Sequence, residues 1–246
     1  MNSKVHSETY RITWQDTDAK GLLSISALTR LFQESAWRHA GLLGFGFEYL
    51  AGHNAIWVMF KLHIQITDWP RWDENITIRT WPGKLKGIVA SREFVVEDQS
   101  GKRLGAASSD WLVIGREDRK PRKTGLLEQF MPHTHEDVIP PVQALTPSRE
   151  IKTMFLDTHR VGYSEIDLHQ HANTSRYFEW VIDALPDSLI RKNIINHFSM
   201  HFVSECSMGD EIELVGNLTG TVLQVHGLRN NDKKVVFETA FTMQAL

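Results

Sequence analysis

Between Ser164 and Asn173 the chain reads Ser-Glu-Ile-Asp-Leu-His-Gln-His-Ala-Asn. A carboxylate, Asp167, and two imidazoles, His169 and His171, alternate there, directly ahead of a helix-like pattern. Histidine exchanges protons near neutral pH and a neighbouring carboxylate can orient its ring, so these are the parts of an acid–base site. Downstream, Glu205 supplies a second carboxylate, and beside it stands Cys206, the only cysteine of the chain. A Cys–His pair would instead form an acyl-enzyme. A free cysteine is often just a small buried hydrophobe, which ranks Cys206 below Asp167, His171 and Glu205. His169, His171 and Glu205 are also zinc-ligand types. Only His197 and His201 are loose candidates for a further ligand, so neither a metal nor another cofactor is expected. The plainest alternative is a polar turn ahead of a capped helix.

The rest of the chain must bring these groups together. It has 246 residues, 41% hydrophobic and 23% charged, ordinary figures for a globular protein. A net charge of -3 selects neither nucleic acid nor a membrane surface as partner. No run approaches the eighteen or so apolar residues of a membrane span. The stretch Met1–His6 has no apolar leader region. One cysteine allows no intrachain disulfide and fits a reducing compartment, so a soluble, cytoplasmic protein is expected. Neither GxSxG nor a phosphate-binding loop occurs, which leaves a serine hydrolase or nucleotide enzyme unsupported. Of the eight Trp, all but Trp180 fall in the first half. Most are expected in the core, with Trp57 the exception that could face a ligand.

The chain repeats one plan. At an offset of 149, Arg11 meets Arg160, Trp14 meets Tyr163, Asp16 meets Glu165 and Asp18 meets Asp167. A second echo follows, in which Phe60-Lys61-Leu62-His63 resembles Phe198-Ser199-Met200-His201, and Asp68 and Asp73 fall opposite Glu205 and Asp210 after a one-residue slip. We read a tandem duplication. Helical spacing runs from Ser24 or Ser26 through Leu28, Leu31, Phe32 and Ala36 to a stop at Gly41, and again from Asn173 or Thr174 through Tyr177, Trp180 and Val181 to Pro186. After each helix the period drops to two, as in Lys61–Thr67 and Asn75–Trp81, then His197–Ser204, Glu211–Leu218, Val222–Arg229 and Lys233–Met243. Each copy is thus a strand, a helix and an antiparallel meander, an α+β plan. The boundaries expected are residues 1–115 and 149–246, joined by a linker over 116–148 with five of the eight prolines.

Asp167-Leu168-His169-Gln170-His171-Ala172-Asn173 resembles the Asp-x-Asn-x-His-x-Asn motif of the acyl-acyl-carrier-protein thioesterases of plants and bacteria, and Glu205-Cys206 resembles their Glu-Cys pair. Ile56-Trp57-Val58, the stretch from Asp68 to Trp72, and Ala107–Val113 with the basic cluster after it extend the resemblance over nearly the whole chain. It implies a double hot-dog fold and hydrolysis of fatty acyl thioesters, which ends chain elongation in fatty acid biosynthesis. Asp167, His171 and Glu205 would then be the acid–base groups, with Cys206 a debated fourth. His169 departs from the pattern by replacing an Asn, a neutral amide, with a ring that can donate, accept or carry charge. Backbone N–H groups of residues 172–174, at a helix N-terminus, suit a developing oxyanion, and Asn173 is expected at the substrate. The first copy has Leu22 where His171 stands and is expected to form the acyl pocket with Leu28, Leu31, Phe32 and Trp57. Arg119, Lys120 and Arg122 form either a solvated run or a docking patch for an acidic carrier protein or coenzyme A. An acyl-coenzyme A thioesterase and a non-catalytic acyl-binding protein are the alternatives. A homodimer is compatible with the chain.

Overall fold

The computed structural model describes residues 5–130, 154–219 and 221–246. The chain divides into two compact units, Met1–Val142 and Gln143–Leu246. The greater part of the expected linker, residues 131–148 with Pro132, Pro140, Pro141 and Pro147, lies outside the described residues, as do residues 1–4.

In the first unit, strand β1 (His6–Arg11) leads through a 3-10 turn at Trp14–Asp16 into helix α1 (Ile25–Leu43), a short helix α2 (Phe47–Gly52), and strands β2 (Ala55–Ile66), β3 (Asn75–Lys86), β4 (Val89–Asp98) and β5 (Arg103–Gly115). The strands lie in the order β1-β3-β4-β5-β2, all neighbours antiparallel. Helix α1 begins where Ser24 Oγ accepts the Ala27 N–H at 3.2 Å, the first of the two starts read from the sequence. It ends one turn later than predicted. Gly41 lies inside it, and the stop is Gly44, at φ 92°, where a side chain would be strained. Leu28, Phe32, Ala36 and Ala40 are buried on its inner face, with Phe32 on Phe94 of β4 at 4.6 Å between ring centres. The alternating pattern of β3 buries Ile76 and Ile78. Residues 116–130, read as linker from the sequence, are folded: Gly115 and Arg122 N–H bond back to Lys120 and Val113 carbonyls at 2.9 and 2.8 Å. A 3-10 helix at Thr124–Phe130 then packs Leu127 and Phe130 against Leu43, Phe45 and Val113.

The second unit repeats this: β6 (Met154–Arg160), a 3-10 turn at Tyr163–Glu165, helix α3 (Thr174–Asp183), a short helix α4 (Asp187–Lys192), then β7 (Asn193–Phe202), β8 (Glu211–Thr219), β9 (Val222–Arg229) and β10 (Val235–Ala245). Its strand order, β7-β10-β9-β8-β6, is that of the first unit with each strand in the matching place. Ten residues make a helix that is marginal alone. Tyr177, Phe178, Trp180 and Val181 bury its inner face, with Phe178 on Phe198 of β7 at 4.8 Å and Tyr177 on Phe237 of β10 at 5.5 Å. Each such side chain contributes roughly 1.5–3 kcal/mol by leaving water. Pro186 closes α3 as expected and serves as the N-cap of α4.

Two expectations need correction. Only Trp81 and Trp180 are buried in the core; Trp57, Trp69 and Trp111 are half-buried, and Trp14, Trp37 and Trp72 are exposed, because they sit on turns or on the outer side of α1. The second echo is also in a different register. Thr67 and Asp68 N–H both bond to Leu104 O, and Val203 and Ser204 N–H both bond to Val236 O, a separation of 136 residues. Asp73 N–H meets Ile12 O as Gly209 N–H meets Val161 O, at the same separation, and Asp73 shares with Gly209 a positive φ. Glu74 therefore stands opposite Asp210, Trp69 opposite Glu205 and Pro70 opposite Cys206.

Candidate active site

The stretch Glu165–Asn173 is a tight loop that delivers the chain from the 3-10 turn to α3. Asp167 N–H bonds to His171 O at 2.9 Å, Gln170 N–H to Asp167 O at 3.0 Å, and Asn173 N–H to Glu165 O at 2.8 Å. The loop turns at Gln170, whose φ is 67°. The first copy has the same loop: Asp18 N–H to Leu22 O at 2.8 Å, Gly21 N–H to Asp18 O at 2.9 Å, Ser24 N–H to Asp16 O at 2.8 Å, and Gly21 at φ 71°. In both, the aspartate steadies the turn: Asp167 Oδ1 accepts His169 N–H and Asp18 Oδ1 accepts Lys20 N–H, each at 2.8 Å. Since the first copy makes this bond with no histidine to serve, steadying the turn is one job of Asp167. Its second oxygen is the part available to chemistry.

What sets the second copy apart is a pair. His171 Nε2 lies 3.3 Å from Glu205 Oε2, both side chains partly open to solvent. The first copy answers with Leu22 and Trp69, so it lacks both members and not only the histidine. Ala172 N–H bonds to the Cys206 carbonyl at 2.8 Å, which ties the segment carrying Glu205 to the loop carrying His171. His169 is in the same loop, two residues from Asp167 and two from His171, with its ring exposed.

Glu165, which the sequence marks only as the counterpart of Asp16, is a further member. Its carboxylate accepts Gly162 N–H and Trp180 Nε1–H, both at 2.6 Å, and lies 3.0 Å from His159 Nε2. Burial raises its pKa, but the hydrogen bonds from Gly162, Trp180 and His159 outweigh burial and hold the carboxyl below its ordinary value. One carboxylate thus joins β6, the 3-10 turn and α3. Asn173 caps α3, its Oδ1 accepting Ser175 N–H at 2.9 Å and Ser175 Oγ–H at 2.8 Å. Of the N–H groups expected to face an oxyanion, those of Ala172 and Asn173 are engaged with Cys206 O and Glu165 O. That of Thr174 is left.

Cys206 has no exposed surface. Burial pushes its thiol up to about 11, against a hydrogen bond with Tyr177, whose hydroxyl is in turn raised by burial and by Cys206. A thiol of this kind is about 0.1% thiolate at pH 8, which does not suit a nucleophile. Alkylation of the folded protein at pH 8 is therefore expected to run at least about 100-fold slower than that of an exposed cysteine, and Cys206→Ala should keep kcat within about 5-fold. Rapid labelling of the folded chain, or a dead but folded alanine variant, would restore Cys206 as the nucleophile.

The other expected residues are dispersed over the first unit. Leu28 and Phe32 are fully buried, whereas Leu31 and Trp57 are half-buried. The Trp57 indole donates to Phe45 O at 3.3 Å and meets Trp111 edge-on. Arg119, Lys120 and Arg122 lie on the turn that closes on β5. Arg122 Nη2 is held by both Asp118 oxygens at 3.0 Å, and Lys120 is exposed. Among the described residues no group of three or more His, Cys, Asp or Glu is placed to hold a metal ion, and no helix is long and apolar enough to cross a membrane.

Comparison with known proteins bears on the family and the fold. Residues 3–125 match the acyl-ACP thioesterase N-terminal domain and residues 148–243 the corresponding C-terminal domain. Among curated proteins, the chain is 21% identical over 242 residues to an oleoyl-acyl carrier protein thioesterase of Arabidopsis thaliana, covering 90% of this chain and 65% of that one. It is 22% identical over 229 residues to a dodecanoyl-[acyl-carrier-protein] hydrolase of Cinnamomum camphora, covering 88% of this chain and 60% of that one. The chain thus spans under two thirds of the length of these relatives. A crystal structure of an acyl-ACP thioesterase from Bacteroides thetaiotaomicron superposes with a TM-score of 0.86 at 26% identity, covering 98% of both chains. The 12:0-ACP thioesterase from Umbellularia californica gives a TM-score of 0.86 at 18% identity, with 99% and 98% covered.

Proposed function

The chain belongs to the acyl-ACP thioesterase family, and from that membership we propose that it hydrolyses fatty acyl thioesters carried on acyl carrier protein, releasing free fatty acid and ending chain elongation. The observation that carries the proposal is the His171–Glu205 pair at 3.3 Å, present in one copy of a duplicated fold and replaced by Leu22 and Trp69 in the other. A thioester is an activated acyl group, so hydrolysis asks for a positioned water, a base and donors to the oxyanion. In the proposed mechanism Glu205 takes a proton from the water as its oxygen forms the new bond to the acyl carbon. The Thr174 N–H, at the start of α3, donates to the oxyanion. As the C–S bond breaks, the proton passes through His171 to the departing thiolate. Asp167 holds the loop with one oxygen and orients the water with the other. His169 is proposed to face the carbonyl or water in the place of the family's Asn.

The first unit, without the pair, is proposed to receive the acyl chain. Leu31 and Trp57, the half-buried members of its expected lining, would contact the chain first. The turn with Arg119, Lys120 and Arg122 is proposed to meet the acidic carrier. A cytoplasmic setting belongs to the same proposal and rests on the single thiol. The test is hydrolysis of a ladder of saturated acyl chains, each offered on carrier protein and on coenzyme A. We expect kcat/KM at least about 10-fold higher on carrier protein, with Arg119→Glu/Lys120→Glu erasing that preference by raising KM for the carrier-bound substrate alone. Equal turnover of both carriers would favour an acyl-coenzyme A thioesterase; affinity without turnover would mark a binding protein.

A further inference from the structure

Glu205 lies where regular structure stops. Strand β7 ends at Phe202 and β8 starts at Glu211, so no strand ladder fixes the backbone of the proposed base. A side chain from β9 does so instead. Arg229 Nη2 donates to Ser204 Oγ and to the carbonyl oxygen of Glu205 itself, both at 2.9 Å, while Nε lies 3.6 Å from Asp210 Oδ2. Further ties act on its neighbours: Val203 and Ser204 N–H on Val236 O, Ala172 N–H on Cys206 O, and Ser207 N–H on Asp210 Oδ2 at 2.9 Å. A planar guanidinium loses less freedom per bond than a flexible ammonium and can serve several acceptors from one rotamer. The first copy supplies the contrast. Ile76 pairs with Asp98 as Ile212 pairs with Arg229, so Asp98 occupies this place in the copy without the acid–base pair. There the side chain turns back on its own hairpin, Oδ1 accepting Ser100 and Lys102 N–H at 2.8 and 2.9 Å.

We infer that Arg229 is a positioning residue for Glu205, holding its carbonyl so that its carboxylate meets His171 and the attacking water. The inference rests on Glu205 being the base of the proposed function. A misplacement near 1 Å can cost about 100-fold in rate. Arg229→Met is therefore expected to lower kcat about 30-fold with KM within about 2-fold. Arg229→Lys should recover most of the loss, because an ammonium still reaches one acceptor. The decisive measurement is the same change made in Glu205→Gln: with the carboxylate gone there is nothing left to position, and Arg229→Met should alter the residual rate less than about 2-fold. A second full 30-fold loss in that background, or wild-type kcat in Arg229→Met, overturns the inference. If the Met variant does not fold, Arg229→Lys is measured in both backgrounds: its smaller loss should vanish in Glu205→Gln, and a loss of the same size there overturns the inference. Wild-type turnover by Glu205→Gln alone would instead remove the base assignment, and the inference with it.

Discussion

Glu205→Gln is expected to lower kcat about 1,000-fold while KM stays within about 3-fold, because the amide keeps the shape of the side chain and loses its capacity to take a proton. The change removes one member of a pair 3.3 Å apart and leaves in place the bonds that hold the two segments, among them Ala172 N–H to Cys206 O and Arg229 Nη2 to Glu205 O, so the fold should survive it. His171→Ala should cost about as much. The two together should cost little more than either alone, since groups that pass one proton act as a unit. Asp167→Asn is the informative companion. The amide oxygen can still accept His169 N–H, so the turn persists and only the charge is lost. A loss of about 30-fold is expected there, less than for Glu205, since part of what Asp167 does is what Asp18 does in the copy without the pair. Additive losses for Glu205 and His171, or turnover by Glu205→Gln within about 10-fold of the parent, would break the mechanism.

The turn that carries Asp167 and His171 was readable because the backbone bonds that close it are local. The backbone bonds among Asp16, Asp18, Gly21, Leu22 and Ser24 close within one short loop, and so do those among Glu165, Asp167, Gln170, His171 and Asn173, so the 149-residue offset survives into the hydrogen bonds. The helices and strands were readable for the same reason, and Val222–Arg229 has the bounds its alternation predicts. The second echo went wrong for a reason of symmetry. A strand pattern of period two is unchanged by a slip of two residues, so Phe60–His63 aligns with Phe198–His201 while the ladder aligns Leu62 with Phe198. That slip hid the fact that Trp69, not a carboxylate, answers Glu205. The end of α1 was misplaced because Gly41 and Gly44 look alike in a sequence; only the second has the left-handed backbone of a stop. Arg229 was not readable at all. Its contacts reach back 24 and 25 residues, and which β9 side chain lies over Glu205 is decided by strand order.

Glu165→Gln is expected to destabilise the second unit by about 3 kcal/mol at pH 7, although the residue touches no substrate in the proposed mechanism. Three donors converge on its carboxylate, those of Gly162, Trp180 and His159. An amide can accept some of them, but its NH2 must then face another donor, and a half-buried N–H is left without an acceptor. Asp16 does less in the first copy, accepting from Thr13 alone among close donors, with Arg30 at 3.7 Å, so Asp16→Asn should cost about half as much. The pH dependence separates the carboxylate's bonds from packing. The folded-state pKa of Glu165 is depressed, so the unfolded chain binds the proton more readily. The stability it contributes is then fully present above the ordinary carboxyl range near 4.3 and is lost as pH falls through the lower folded value. Parent and Glu165→Gln should therefore differ in Tm by about 6–12 °C at pH 7, and the gap should narrow as pH falls below the ordinary carboxyl range. A gap that stays the same as pH falls would mean that the variant disturbs packing. Because Glu165 O also receives Asn173 N–H at 2.8 Å, the same variant loosens both ends of the loop that aims His171. Its kcat should fall with its stability, whereas Asp16→Asn, in the copy without the pair, should lower Tm and leave turnover in place.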